Sequence, residues 1–285
     1  MNAVGARHGT PPRFSKMHGA GNDFVILDRR GGAASPDSAT VRRLADRHRG
    51  VGCDQLIAIM DAVTPGSIAS YRIWNTDGSP AQQCGNGARC VAAWLRREGA
   101  GMADRFALDS PAGVVEVTMH GDVDIELAMS VPEFVPARIP LALPERRDHY
   151  AADLDGERVR FGAVSMGNPH ALIEVADLAI APVARIGAAM QASPLFPEGV
   201  NVSFAQVLAR DRIGLRVVER GVGETLACGS GACAAVAILV RQGRVEREVA
   251  VALPGGTLRI VWPADDAPVR MRGPAAFVFE GEWHP

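Results

Sequence analysis

The sequence has few aromatic residues, no long apolar run and no surplus of charge of one sign. Aromatics make up 5% of 285 residues against a hydrophobic fraction of 47%, so a packed core must be built from aliphatic side chains and alanine. No apolar run approaches the roughly 18 residues that a membrane-spanning helix needs. The net charge is −2 and no basic cluster occurs, which gives no electrostatic reason to expect nucleic acid or an anionic membrane surface as a partner. The opening "MNAVGARHGTPPR" lacks the apolar core of a signal peptide and reads as a loose polar lead-in. There is no Cys-x2-Cys pair among Cys53, Cys84, Cys90, Cys228 and Cys233, so a zinc site is not expected. "GVGETLACGSG" lacks the Gly-Lys-Ser/Thr ending of a phosphate loop, and "CGNGARC" is not a Gly-x-Gly-x-x-Gly dinucleotide loop. An odd number of cysteines without a secretion signal points to free thiols in a reducing compartment, with the cytoplasm as the expected location.

What is present is rich in strands. Short β-branched or alternating runs, punctuated by Gly, Pro and Asp, predict strands at 23–28, 55–60, 69–75, 114–119, 123–129, 158–166, 171–175, 200–207, 214–219, 257–262 and 275–281. A helix is expected within 35–48 and a broken one within 177–191. Two further helices follow Cys84 and Cys228. "GARCVAAWLRREG" reads as apolar until Arg96, and "GACAAVAILVRQG" until Arg241. Helices without a polar face are buried, and each ends in Arg followed by Gly99 or Gly243, which suits a C-terminus.

The two halves run in parallel: Gly-Asn, a strand, further strands, Cys-Gly-x-Gly-Ala and a buried helix. This is the pattern of a duplication. The length fits about two domains, and the Pro-rich stretch 130–145 is a natural boundary. The expected division is 1–130 and 131–274, with the terminal 275–285 able to complete the first half. The expected fold class is α/β (α+β), with two pseudo-symmetric halves, each a mixed strand-rich sheet around a central buried helix, and a site in the cleft between them.

The repeated loop has specific chemistry. A helix N-terminus offers unpaired N–H groups and about half a positive charge. Gly85, Gly87, Gly229 and Gly231 let a ligand approach that backbone closely, so each loop is suited to a carboxylate. The same field is expected to lower the pKa of Cys84 and Cys228. With a carboxylate between both helix ends, its α-carbon lies between two sulfurs. One thiolate removes the α-hydrogen and the opposite thiol returns a proton, inverting the centre with no cofactor needed. Activity should then follow a bell in pH. A single cysteine at a helix start is usually only packed. The repetition is what points to function, while Cys90, Cys233 and Cys53 read as structural.

At these residues the chain resembles the diaminopimelate epimerases, cofactor-independent enzymes of bacterial lysine and peptidoglycan synthesis. The matching stretches are "MHGAGNDFV", "GVGCDQ", "IWNTDGSPAQQCGNGARC", "SMGNPH", "EGVNVSFAQV", "ERGVGETLACGSGACA" and "LPGGTLRIVW". They run in order through nearly the whole chain, except the first dozen residues and 136–160. The family often has Ala at position 53 and Thr at position 230.

The resemblance implies a homodimer, diaminopimelate as small-molecule substrate, no metal and no other cofactor, and epimerisation of the LL form to meso. It implies Cys84 and Cys228 as the acid–base pair, with Cys228 as base toward the LL form. Gly85, Asn86, Gly229 and Ser230 would hold the reacting carboxylate through their N–H groups. Asn75, Asn168, Asn201 and Arg220 would grip the far end, Asn22 and Gln55 would line the pocket, and Glu219 and His170 would tune the thiols or bind the amine. A two-thiol racemase of proline or hydroxyproline is the enzymatic alternative. A non-catalytic thiol or metal-binding protein is the other.

Overall fold

A computed structural model describes residues 12–82, 84–100 and 103–284. The lead-in expected at the N-terminus falls almost entirely outside these residues.

The first half opens with an antiparallel pair, β1 (Arg13–Gly19) and β2 (Asn22–Asp28). Helix α1 (Ser38–Ala45) leads to β3 (Gln55–Met60), which pairs parallel with β2. Next come β4 (Ser67–Asn75), antiparallel to β3, and the short β5 (Pro80–Ala81). Helix α2 (Gly85–Arg97) then crosses to β6 (Arg105–Ser110), which is parallel to β4. The antiparallel strands β7 (Gly113–Met119) and β8 (Asp124–Ala128) close the series.

After β9 (Tyr150–Leu154), which pairs with the start of the next strand, the second half repeats this order. Strands β10 (Glu157–Ser165) and β11 (Pro169–Glu174) are antiparallel. Helix α3 (Val183–Gln191) leads to β12 (Asn201–Ala209), parallel to β11. Then follow β13 (Arg212–Glu219), β14 (Gly223–Thr225) and helix α4 (Gly229–Arg241). Strand β15 (Glu248–Leu253) lies parallel to β13 and is followed by antiparallel β16 (Gly256–Val261) and β17 (Arg270–Pro274). Each half thus has the same sequence of antiparallel and parallel steps, and β17 joins β8 across the boundary. The last strand, β18 (Ala276–Glu282), returns to pair with β1.

Helices α2 and α4 have the burial their composition demands. Residues 86–95 of α2 are all buried, as are those of α4 from Gly231 to Leu239. One apolar core encloses both, drawing on strands of both halves. Two smaller cores lie under α3 and α1. Gly99 and Gly243 end the helices with φ of 75° and 68°, the left-handed turn that glycine adopts at low cost. Arg89 differs from expectation: α2 is not apolar up to Arg96, because this guanidinium is itself fully buried.

Helix α1 is shorter than expected because Asp37 caps it, accepting from the Thr40 N–H at 2.8 Å. Helix α3 begins only after Pro182. Strands β1, β5, β6, β9, β14, β15 and β17 were not expected. Apart from the two-residue β5, each carries charged residues or glycine that weaken the apolar pattern, and tertiary pairing overrides that local signal.

Candidate active site

Cys84 and Cys228 occupy equivalent positions. Each is the N-cap of its helix, with extended backbone. Each sulfur accepts a hydrogen bond from the N–H three residues on, Gly87 or Gly231, at 3.4 Å. The cap position explains the sequence pattern: a small acceptor starts the helix, and glycines keep its first N–H groups accessible. Both cysteines open onto one cavity of about 480 Å³.

The other candidates gather by the same duplication. Asn22 begins β2 and Asn168 immediately precedes β11; Gln55 and Asn201 begin β3 and β12; Asn75 and Glu219 end β4 and β13. Of the candidates, Asn22, Gln55, Asn75, Gly85, Asn86, Asn168, Glu219, Gly229 and Ser230 share the cavity wall with the two cysteines. Asn201, His170 and Arg220 are not part of that wall. Asn201 is buried behind it, donating to the Pro169 carbonyl at 3.2 Å and accepting from the Arg220 N–H at 2.9 Å. His170 is fully buried, with Nε2 2.9 Å from Asn168 Oδ1. The exposed Arg220 donates Nη1 to the Glu198 carbonyl at 2.7 Å.

Hydrogen bonds fix the wall amides. Asn22 donates Nδ2 to Asp54 at 3.0 Å, so its Oδ1 faces Cys84 Sγ at 3.5 Å. Gln55 Nε2 donates to Asn75 Oδ1 at 3.0 Å. Asn86 donates Nδ2 to the Ala227 carbonyl at 3.0 Å, linking the first cysteine loop to the residue before Cys228. Arg47 and Asp54 also line the cavity, and the Arg47 guanidinium pairs with both Asp54 and Asp23, each at 2.8 Å. Arg47 was not expected there. It follows the end of α1, where the sequence reads only as an ordinary basic helix terminus.

The thiol electrostatics reverse the expectation. The helix field was expected to lower both pKa values, but burial outweighs it. Burial pushes Cys84 up to about 11, with the Gly87 N–H opposing and the Glu219 charge adding to the rise. Cys228 is pushed well above its ordinary range, first by burial and then by the charge of Glu219. A carboxamide oxygen facing Cys84 also favours the neutral thiol. Glu219 is raised too, chiefly by burial, and its carboxyl lies within hydrogen-bonding range of Cys228 while Thr225 donates to it at 2.5 Å. Glu219 is therefore the titratable neighbour of a thiol. His170 faces Asn168 instead, and burial holds its pKa down to about 3.

Two neutral thiols at opposed helix ends, with a polar amide wall between them, are suited to exchanging a proton at a carbon held by its carboxylate. A thiolate that is costly to form is a strong base once formed, which the removal of a weakly acidic α-hydrogen requires.

Comparison with known proteins agrees with this geometry. The profile described as diaminopimelate epimerase matches residues 14–135 and 162–278. A diaminopimelate epimerase of Xanthomonas axonopodis pv. citri is 58% identical over 273 residues, covering 95% of this chain and 96% of that protein. An O-ureido-serine racemase of Streptomyces lavendulae is 59% identical over 270 residues, covering 94% of each. Among solved structures, a hydroxyproline epimerase from Agrobacterium vitis superposes with a TM-score of 0.68 at 17% identity, covering 97% of this chain and 93% of that one. That last likeness is one of fold.

Proposed function

The chain belongs to the diaminopimelate epimerase family, and from that premise we propose that it interconverts LL- and meso-2,6-diaminopimelate with two thiols, in the supply of lysine and peptidoglycan precursors. The observation that carries this reading is the pair of cysteine N-caps opening onto one cavity. The substrate α-carboxylate lies against the N–H groups of Gly85, Asn86, Gly229 and Ser230. Cys228 as thiolate takes the α-hydrogen, and the C–H electron pair becomes a planar carbanion whose charge spreads into the carboxylate. The two helix dipoles stabilise that charge. Cys84 then gives its proton to the opposite face, leaving the negative charge on its own sulfur. Asn22 and Gln55 line the substrate, and Asn75, Asn168, Asn201 and Arg220 hold the far amino-acid end. A bidentate grip by Arg220 requires its guanidinium to leave the Glu198 carbonyl. Glu219 tunes Cys228, and His170 acts through Asn168.

The division at 130/131, with β18 completing the first half, belongs to the same reading. So does a homodimer, supported by the exposed Val278 and Phe279 on a strand that, among the described residues, pairs only with β1. Five free cysteines support a cytoplasmic location. Among the described residues no helix is long and apolar enough to cross a membrane.

The racemase relative supports a second reading, in which the substrate is an O-ureido-serine, with neither carboxylate nor ammonium at its far end. A substrate panel in deuterium oxide decides. The proposal expects solvent deuterium at the α-carbon of LL-diaminopimelate and conversion to meso. Preferential turnover of O-ureido-L-serine would replace it with the second reading.

A further inference from the structure

The duplication is broken at one buried position. The residue five beyond Cys84 is Arg89; the residue five beyond Cys228 is Cys233. Both are fully buried. Arg89 Nη2 donates to Asn86 Oδ1 at 2.8 Å, Nε to the Pro274 carbonyl at 3.3 Å, and Nη1 lies 3.7 Å from the Met271 sulfur. Among the described residues none of its hydrogen-bond partners is a carboxylate.

A cation in this place is unusual twice over. It is removed from water with, among the described residues, no carboxylate hydrogen-bonded to it, which costs far more than burying a neutral side chain. It also sits in the first turns of a helix, where the backbone already presents positive charge and acidic groups are preferred. Two helix N-termini and a guanidinium therefore converge behind one cavity floor. Asp124, which Arg272 already holds, compensates that charge only in part, and the proposed reaction brings further compensating charges: a carboxylate and a thiolate.

The link to the floor is specific. Because Arg89 claims Asn86 Oδ1, the Asn86 amide group must face away from it, and it donates to Asn22 Oδ1 at 3.3 Å and to the Ala227 carbonyl at 3.0 Å. Asn22 Oδ1 is also the acceptor facing Cys84 Sγ. One guanidinium thus sets an amide that touches both cysteine loops.

We propose that Arg89 is the site's fixed counter-charge and a positioning residue: through Asn86 it aligns the two cysteine loops, and its charge favours the thiolate and the bound carboxylate. The groups facing it are Cys84 and Cys90 of its own helix, Cys233 of α4 and Asp124 of β8, the last being held by Arg272 at 2.5 Å. The groups facing Cys84 are Arg89 and Cys90 of its helix, Tyr71 of β4 and Glu219 of β13. Arg89 is the one cation in that set. This inference rests on the two-thiol reading. The thiol readout below needs no turnover, so its failure is distinct from a wrong substrate.

Wild type, Arg89→Gln and Arg89→Lys are treated with iodoacetamide over a pH series, the Cys84 peptide is quantified by mass, and kcat and KM are measured on the same preparations. In Arg89→Gln, alkylation of Cys84 at a fixed pH is expected to slow about tenfold, the equivalent of one pKa unit, with kcat falling more than KM rises. Arg89→Lys, which keeps the charge but loses the planar fork, is expected to restore the alkylation profile and only part of kcat. Wild-type alkylation and kcat in Arg89→Gln would overturn the proposal, whatever its melting temperature; so would an Arg89→Lys that behaves like Gln. If Arg89→Gln does not fold, Asn86→Ser, which places in this loop the residue found at position 230, tests the link. A lowered kcat with an unchanged Cys84 profile supports it, and wild-type kcat overturns it.

Discussion

At the scale of single residues, the site depends on groups held neutral by burial. Both thiols, Glu219 and His170 are shifted toward their uncharged forms. If the two sulfurs act as the acid–base pair, Cys84→Ala and Cys228→Ala should each lose about 10²–10⁴-fold in turnover, the usual worth of a general acid or base, with near-native melting curves. Wild-type turnover in either variant would sink the two-base scheme. His170 carries a separate prediction. Its folded pKa of about 3 lies below the ordinary 6.5, so below pH 6.5 the unfolded chain takes up a proton that the folded chain refuses. Stability should therefore fall with acidification between about pH 6.5 and 3. His170→Gln should lower stability at neutral pH but reduce that acid slope, as thermal melts across the range would show. An unchanged slope would assign it to the carboxylates instead. The cysteines were legible in the sequence because the same loop occurs twice. Arg89 was not, since one basic letter in an apolar run does not reveal which way the side chain points. The thiol shifts were not legible either, because a helix end can be recognised in sequence but the depth of its burial cannot.

At the scale of elements, the two cysteine loops are spaced by a single side chain. A Cβ on Gly85 would lie 2.4 Å from Met271 Cε, and one on Gly229 would lie 2.9 Å from Met271 Sδ. The buried Met271 of β17 is thus wedged between the two helix N-termini. Gly85→Ala should move that methionine or the loop, and since a misplacement of about 1 Å can cost on the order of 10²-fold in rate, kcat should drop sharply. Met271→Ala in the same chain should recover part of it, because the obstruction is a flexible side-chain end. If the double variant is no better than the single, the strain lies in the backbone. The buried helices α2 and α4 were readable from composition, and eleven strands from their alternation. Strand β1 was hidden because Lys16 sits inside it, buried and joined to Asp23 at 2.5 Å. Strand β17 was hidden because "RMRGP" alternates arginine with a methionine and a glycine, whose packing partners lie far away in sequence.

At the scale of the whole molecule, the halves meet through β8 and β17, through the core around α2 and α4, and through a backbone contact. A Cβ on Gly255 would fall 2.0 Å from the Ala20 carbonyl oxygen, and the Gly255 N–H donates to the Leu226 carbonyl at 2.9 Å. Gly255→Ala cannot be relieved by turning a side chain. It should separate the 19–22 loop from the 253–256 turn, lowering both melting temperature and turnover; a variant that melts and turns over like wild type would show that the contact is dispensable. On the outer surface, Val278 and Phe279 are 53% and 47% exposed on β18, an apolar edge of the kind soluble proteins cover. Val278→Glu with Phe279→Glu should convert a dimer into a monomer in sedimentation experiments. A wild-type chain that sediments as a monomer would remove the dimer from the proposal. The internal repeat made this architecture legible in outline, but no local pattern tells where a final strand will find its partner.

The pairing of β18 with β1 has a consequence for how the chain emerges from the ribosome. Domains commonly fold in the order they are synthesised, yet here the opening hairpin gains its outer neighbour only when residues 276–282 have left the ribosome. The later-made half, contiguous from β9 to β17, has its strands in hand first. The earlier-made half must wait with one flank of its sheet bare, and slowing synthesis of the segment that carries β18 should prolong its exposure to chaperones.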